Sequence, residues 1–167
     1  DMLEVDYAVC SVADVILYDM EAGNAVMAEV CAENERLLGY VYVNPNFIDQ
    51  SVAEMERYLR SPEFVGVKIY TGGYTGVPAD AECFSDLFDE IGRRASVVLV
   101  HTGSGSTART LGEYASEYPD LQVILGHAAA QDSDEAAQVA AENRNVYLEF
   151  CSSWAGQGKV ERAVDIC

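Results

Sequence analysis

The sequence predicts an α/β fold made of successive βα units. Short β-rich runs alternate six times with segments whose apolar residues recur at helical spacing. The runs are apolar on successive residues, which is typical of strands buried on both faces of a parallel sheet. They begin roughly 24 to 32 residues apart, the length of one βα unit. Such units form either an open doubly wound sheet or a closed (β/α)8 barrel, and the pattern alone favours the open sheet.

The predicted strands take all their residues from the apolar runs. They are Tyr7–Val12, Leu38–Val43, Val65–Tyr70, Val97–His101, Gln122–His127 and Val146–Cys151. Six units would complete an open doubly wound sheet but would leave a barrel two units short.

The helices between the strands are predicted from apolar residues three or four positions apart. The clearest contains Phe84, Leu87, Phe88 and Ile91, with Asp80 as its expected N-cap. The same spacing predicts helices with the apolar sets Ala22, Val26, Val30; Val52, Met55, Leu59; Leu111, Tyr114, Ala115, Tyr118; Ala136, Val139, Ala140; and Val160, Ala163, Val164, Cys167. Asp132 and Glu135 have the spacing of a capping box.

The composition predicts one soluble, acidic domain over residues 1–167. The formal charge is −18, from 28 acidic and 10 basic residues, and this field would repel nucleic acid and anionic membranes. There is no run of eighteen apolar residues and no C-x-x-C pair among the five cysteines. We therefore expect a cytoplasmic protein with reduced thiols and a small-molecule substrate. Cys151 lies in an apolar run, where a cysteine is expected to act as a small hydrophobe.

The two histidines are the strongest candidates for a functional site. His101 and His127 are the last residues of two predicted strands, and parallel α/β folds place their chemistry at the carboxyl ends of strands. Neutral imidazoles at neighbouring ends suit zinc or a similar divalent ion. The alternative is that each ring only caps its strand by bonding a backbone carbonyl. In a barrel, Asn44 and the region 149–152 would face the same cavity.

Two charged residues inside apolar strands are further candidates for the functional site. Lys68 lies in a predicted strand, and a buried ammonium is usually paired, shifted in pKa or directed into a polar cavity. An edge position with a snorkelling side chain is the alternative. Glu149, in the last predicted strand, is a weaker candidate of the same kind.

One glycine-rich segment overlaps the first histidine. Residues 103–108 match the G-x-G-x-x-A dinucleotide pattern between a strand and a helix. The next strand ends in Gly126 and His127, where that motif needs an acidic residue. We therefore interpret the segment as a flexible loop that contacts an anionic group of a substrate.

Four segments, taken together in their order along the chain, resemble the amidohydrolase-related family. This family is the metal-dependent TIM-barrel group of hydrolases and non-oxidative decarboxylases. The four segments are Gly66–Tyr70, Val98–Gly103, Tyr118–Ala128 and Asn145–Glu149, and the strand end Val41–Pro45 is similar as well. The resemblance implies a partial (β/α)8 TIM barrel of about six βα units, equivalent to strands two to seven. An open doubly wound parallel sheet remains the alternative.

The resemblance also implies roles for three residues. His101 is similar to the family's fifth-strand metal ligand, and His127 to the sixth-strand histidine, a second-metal ligand or a catalytic acid or base. Lys68 lies near the position of a metal-bridging lysine in some members and is the second candidate catalytic residue. The implied cofactor is a divalent metal, with zinc expected and manganese as the alternative.

The chain also departs from the family pattern. It lacks the first-strand H-x-H and the eighth-strand aspartate, and Ala129 stands where a glycine is expected. We therefore expect a piece of a longer enzyme that hydrolyses or decarboxylates a small carboxylate, lactone or amide. The alternative is a non-catalytic α/β domain that binds a small molecule. Unpaired strands at the barrel edges would favour homo-oligomers.

Overall fold

Six parallel strands form one sheet whose order follows the chain. The computed structural model describes residues 5–12, 19–151 and 155–167. The strands are β1 (Ala8–Cys10), β2 (Leu37–Val43), β3 (Phe64–Ile69), β4 (Val97–His101), β5 (Gln122–Gly126) and β6 (Val146–Leu148). The helices of the described part are α1 (Met20–Glu33), α2 (Ile48–Tyr58), α3 (Glu82–Arg94), α4 (Gly105–Glu117), α5 (Ser133–Glu142) and α6 (Lys159–Ile166). A 3-10 turn at His127–Ala129 follows β5.

The strand order decides between the two predicted architectures. A doubly wound sheet reverses its order at a switch point, whereas here each strand pairs only with its neighbours in sequence, from β1 to β6. Right-handed crossovers in one direction place all the helices on one face. The sheet is therefore a partial (β/α)8 barrel of about six units, and the doubly wound alternative is wrong. No helix in the described ranges is both long enough and apolar enough to cross a membrane.

The six predicted strands are confirmed, with shifts at their ends. The largest shift is in the last strand, which ends at Leu148 rather than at Cys151. Glu149 and Cys151 therefore extend past the sheet, on the side where β4 and β5 also end.

The two faces of the sheet are buried to different degrees. Val98, Val100 and Leu125 are fully buried against the helix layer, whereas Leu99 and Ile124, between them in the strands, remain partly exposed. Residues that alternate along a strand point to opposite faces. The apolar runs thus line both the packed core and the concave interior of the partial barrel.

Helix α3 packs as predicted, whereas α1 does not. The four apolar residues of α3 are all fully buried. In α1, the predicted Val26 and Val30 are 45% and 37% exposed, and the buried face contains Asn24 and Met27 instead. The pattern failed because a polar side chain occupies the centre of the buried face. Helix α6 likewise exposes Val160 and Val164.

The two predicted caps also differ from the structure. Helix α3 begins at Glu82 with Ala81 as its N-cap, so Asp80 lies one position too early. Asp132 is the N-cap of α5, but its side chain makes no cap hydrogen bond there. Its carboxylate instead accepts a hydrogen bond of 2.8 Å from the backbone N–H of Gly105. It thus links the first turns of α4 and α5.

Asn24 replaces a missing strand partner. β1 pairs with β2 only as far as Gly39, so the Tyr42 backbone needs another partner on that side. The Asn24 amide donates to Tyr42 O at 3.0 Å and accepts from Tyr42 N at 2.9 Å. It also donates to Glu54 Oε2 at 2.8 Å. One buried side chain therefore joins α1, β2 and α2.

Replacing Asn24 should destabilise the fold. Asn24→Ala removes three buried hydrogen bonds and leaves their partners unsatisfied, so we expect the free energy of unfolding to fall by about 3 kcal/mol. Val26→Ala, on the exposed side of the same helix, should change it by less than about 0.5 kcal/mol. Urea denaturation followed by circular dichroism measures both. Equal losses in the two variants would contradict the assigned role of Asn24.

Candidate active site

The structure brings His101 and His127 together at the carboxyl ends of adjacent strands. His101 is the last residue of β4 and pairs with Gly126, the residue before His127. The two imidazole centroids are 4.8 Å apart, with the rings edge to face. Within the described ranges, neither ring bonds a backbone carbonyl, which argues against two independent strand caps.

A left-handed turn directs the His127 side chain. His127, Ala128, Ala129 and Ala130 have φ angles of 60°, 45°, 58° and 57°. This region favours glycine, so four successive side chains in it represent backbone strain. Glu149 Oε2 accepts from the His127 backbone N–H at 3.2 Å, and Lys159 Nζ donates to Ala130 O at 2.6 Å. Ala129 has a φ of 58°, a conformation that favours glycine, which explains why a glycine is expected at this position.

Aromatic rings enclose His101. Tyr70 stacks on the imidazole with a centroid separation of 5.3 Å, and Tyr74 meets it edge-on at 4.7 Å. The Thr71 hydroxyl donates to the backbone carbonyl of His101 at 2.9 Å. Burial, aided by His127 and Lys68, lowers the pKa of His101 to about 4. The ring is therefore neutral near pH 7, which is the form that binds metal ions.

Lys68 is buried and does not snorkel to solvent. Its residue is 6% exposed, and its Nζ lies 4.7 Å from the centroid of the Tyr70 ring. Burial lowers its pKa to about 8, while the negative charge of Glu149, and that of Cys151 when it is ionised, act in the opposite direction. The alternative of an edge position with a snorkelling side chain is therefore wrong, since β3 lies between β2 and β4 and the buried ammonium interacts with Glu149.

Three side chains form a second group that we call the thiol cluster: His127, Glu149 and Cys151. Cys151 Sγ lies 2.9 Å from His127 Nδ1 and 3.4 Å from Glu149 Oε2. One potential ligand atom from each residue lies within 4.8 Å of the other two. The interpretation of Cys151 as a small hydrophobe was therefore wrong. Its position two residues after Glu149, at the end of a strand, is the sequence signal that would have identified it.

An open cleft of about 620 Å³ adjoins the two histidines. Its lining includes Tyr74, His101, Thr102, His127, Gln131 and Asp132. Gly103 also borders it, but the glycine-rich segment is not a flexible loop. Helix α4 already begins at Gly105, and the Ser104 hydroxyl caps it by accepting from Thr107 N.

Asn44 is not joined to the cluster by any hydrogen bond that the structure describes. Its side-chain oxygen accepts from Asn46, and its backbone N–H donates to the Ser51 hydroxyl at 2.9 Å. It therefore shapes the turn after β2. Position 152, the end of the region predicted to face the cavity, lies outside the described residues.

Comparison with known proteins decides the family. A family model described as Amidohydrolase matches residues 11–163, almost the whole chain. The chain belongs to the amidohydrolase family. No curated protein sequence matches this chain significantly.

Solved structures share the fold of this chain. It matches 5-carboxyvanillate decarboxylase from Sphingomonas paucimobilis with a TM-score of 0.70 and 15% identity, covering 96% of this chain and 64% of that one. The match to 2,6-dihydroxybenzoate decarboxylase from Rhizobium has a TM-score of 0.69 and 15% identity, covering 95% of this chain and 69% of that one. At such identities the likeness shows the fold alone.

A third structure with this fold contains a metal. 5-Carboxyvanillate decarboxylase from Novosphingobium aromaticivorans, complexed with manganese and a nitrobenzoic acid, matches with a TM-score of 0.68 and 18% identity. The match covers 96% of this chain and 63% of that one. The amidohydrolase chain thus spans about two thirds of the length of each of the three structures.

The charge coupling between Lys68 and Glu149 can be measured directly. The negative charge of Glu149 favours the ammonium form, so Glu149→Gln should move the midpoint of the Lys68 titration below about pH 8. The sequence has only two lysines. In Lys159→Arg the one remaining lysine Nζ signal in a nitrogen-15 NMR titration therefore belongs to Lys68. The measurement compares Lys159→Arg with and without Glu149→Gln. An unchanged or higher midpoint would show that the two charges are not coupled.

Proposed function

We propose that the intact protein is a metal-dependent enzyme that hydrolyses or non-oxidatively decarboxylates a small carboxylate, lactone or amide. The observation that carries the proposal is the pair of imidazoles, 4.8 Å apart, at the ends of adjacent strands beside an open cleft. Membership of the amidohydrolase family supports it.

The pair of imidazoles suits a divalent ion. The two rings lie 4.8 Å apart, and neutral histidine nitrogen is a common zinc ligand. His101, held neutral by burial, would hold the ion, with His127 as a second candidate ligand. Zinc and manganese are the candidate metals. When bound, the ion would supply Lewis acidity to polarise a carboxyl or carbonyl group, or to activate a water molecule.

The chain's own residues would position the substrate and move protons. Cys151 occupies the Nδ1 side of the His127 ring. His127 would therefore act as an acid or base through its other ring nitrogen, Nε2. The Lys68 ammonium supplies a buried positive charge that would attract a substrate carboxylate.

Aromatic acids are the substrates that we favour within this class. Tyr70 and Tyr74 flank the His101 ring and offer faces on which an aromatic substrate could stack. The solved decarboxylases with this fold are described as acting on 2,6-dihydroxybenzoate and 5-carboxyvanillate, which supports the decarboxylase branch. Hydrolysis of a lactone or amide is the second branch.

Metal content tests the metal-dependent reading. Mass spectrometry after zinc or manganese loading, on this chain and on the full product of its gene, should find stoichiometric metal in the full product. His101→Ala should lower that content at least about tenfold. Asn44→Ala, at another strand end but outside the cluster, should retain it. A full product that binds no metal and still folds would favour the non-catalytic alternative.

The reaction type is tested on the metal-loaded full product. We expect release of carbon dioxide from hydroxybenzoates, with no hydrolysis of lactones or cyclic amides. Lys68→Met should raise KM for these acids about tenfold or more, since it removes a charged contact to the carboxylate. Arg60→Met, which removes an exposed cation outside the site, is the matched control. Hydrolysis without decarboxylation would move the assignment to the second branch.

A further inference from the structure

We propose that the thiol cluster is a second metal position, which binds a divalent ion such as zinc, cadmium or cobalt through His127 Nδ1, Cys151 Sγ and Glu149. It is distinct from the ion that we assign to His101. The proposal extends the proposed function because His127 belongs to both groups, but it depends on Cys151 and Glu149.

The three ligand atoms already converge. Ligands around a tetrahedral zinc ion are about 3.4 to 3.8 Å apart, as follows from bonds of about 2.0 to 2.3 Å. In the thiol cluster Sγ lies 2.9 Å from Nδ1 and 3.4 Å from Oε2, and no pair exceeds 4.8 Å. All three residues are half-buried. Only small side-chain movements would be needed to admit an ion.

The backbone holds two of the ligands in place. The left-handed turn that begins at His127 positions its ring, and Glu149 Oε2 fixes the start of that turn by accepting the His127 N–H at 3.2 Å. The same carboxylate therefore contacts both the turn and the thiol. Such mutual support keeps the ligand geometry largely preorganised.

The arrangement fits metal binding better than nucleophilic catalysis. In a cysteine nucleophile with a histidine base, the third group orients the base through its other ring nitrogen. Here Glu149 contacts the thiol and the backbone of His127. A cation between the carboxylate and the thiol sulfur, which lie 3.4 Å apart, would be bound by both.

The charges balance when an ion is bound. The thiol loses its proton to solvent as the metal–sulfur bond forms, and the resulting thiolate and the carboxylate together neutralise a divalent ion. Thiolate and imidazole ligands favour zinc-like ions over magnesium or calcium. Cobalt is a useful probe because it replaces zinc in such sites and absorbs visibly.

Cobalt binding to the purified chain is the test. Titration with Co²⁺ should produce a near-ultraviolet thiolate-to-cobalt charge-transfer band that reaches saturation. Cys151→Ser should abolish the band and weaken cobalt binding about tenfold or more. Cys83→Ser, at another half-buried cysteine, should leave both unchanged.

The variants separate this site from the proposed function. His101→Ala should retain the charge-transfer band even if the ion of the proposed function is lost. If Cys151→Ser does not fold, as judged by circular dichroism, Glu149→Gln takes its place and should weaken cobalt binding to a similar extent while keeping the thiol. A wild-type chain without the band, or a band that persists in Cys151→Ser, would overturn the proposal. So would alkylation of Cys151 by iodoacetamide at the same rate with and without cadmium.

Discussion

The parallel pairing of β4, β5 and β6 in chain order determines where the two imidazoles, the Glu149 carboxylate and the Cys151 thiol lie. His101 pairs with Gly126, and Leu125 pairs with Leu148. Because all strands run in one direction, the residues that follow these pairs emerge at the same edge of the sheet. Two imidazoles, a carboxylate and a thiol thus converge although they come from three separate units. No long loop is needed to assemble them.

This convergence is obtained at the expense of local strain. The turn at 127–130 holds four side chains in a region that glycine favours. Within the described ranges, the Glu149 carboxylate and the Lys159 ammonium both form hydrogen bonds with the backbone of this turn. Strain of this kind persists where surrounding contacts over-determine the backbone, and it concentrates at functional sites. The turn is therefore better explained by the position that it gives His127 than by folding stability.

The sequence predicted the strands well because apolar runs and their spacing are local signals. It also predicted that His101 and His127 would meet, since each marks a strand end. Other features depend on partners far away in the chain. Asn24 is buried because β1 stops short of Tyr42, and Asp132 turns from its own helix toward Gly105. The apolar run predicted a strand that continues to Cys151, whereas β6 ends three residues earlier and leaves Cys151 beyond the sheet. The periodicity of apolar residues predicts which face of a helix is buried. It does not predict that a polar side chain such as Asn24 bonds a strand backbone on that face.

The charge distribution explains how an acidic protein could attract an anionic substrate. The net charge of −18 acts mainly across the surface, and salt screens it beyond about 8 Å at physiological ionic strength. Inside the site, Lys68 is buried beside Tyr70, where its charge is screened much less. Divalent ions would be drawn by the surface field, whereas a carboxylate would meet attraction only at short range. The long-range surface field and the short-range charge of Lys68 together would favour a metal ion as the first occupant of the site and an acid substrate as the second.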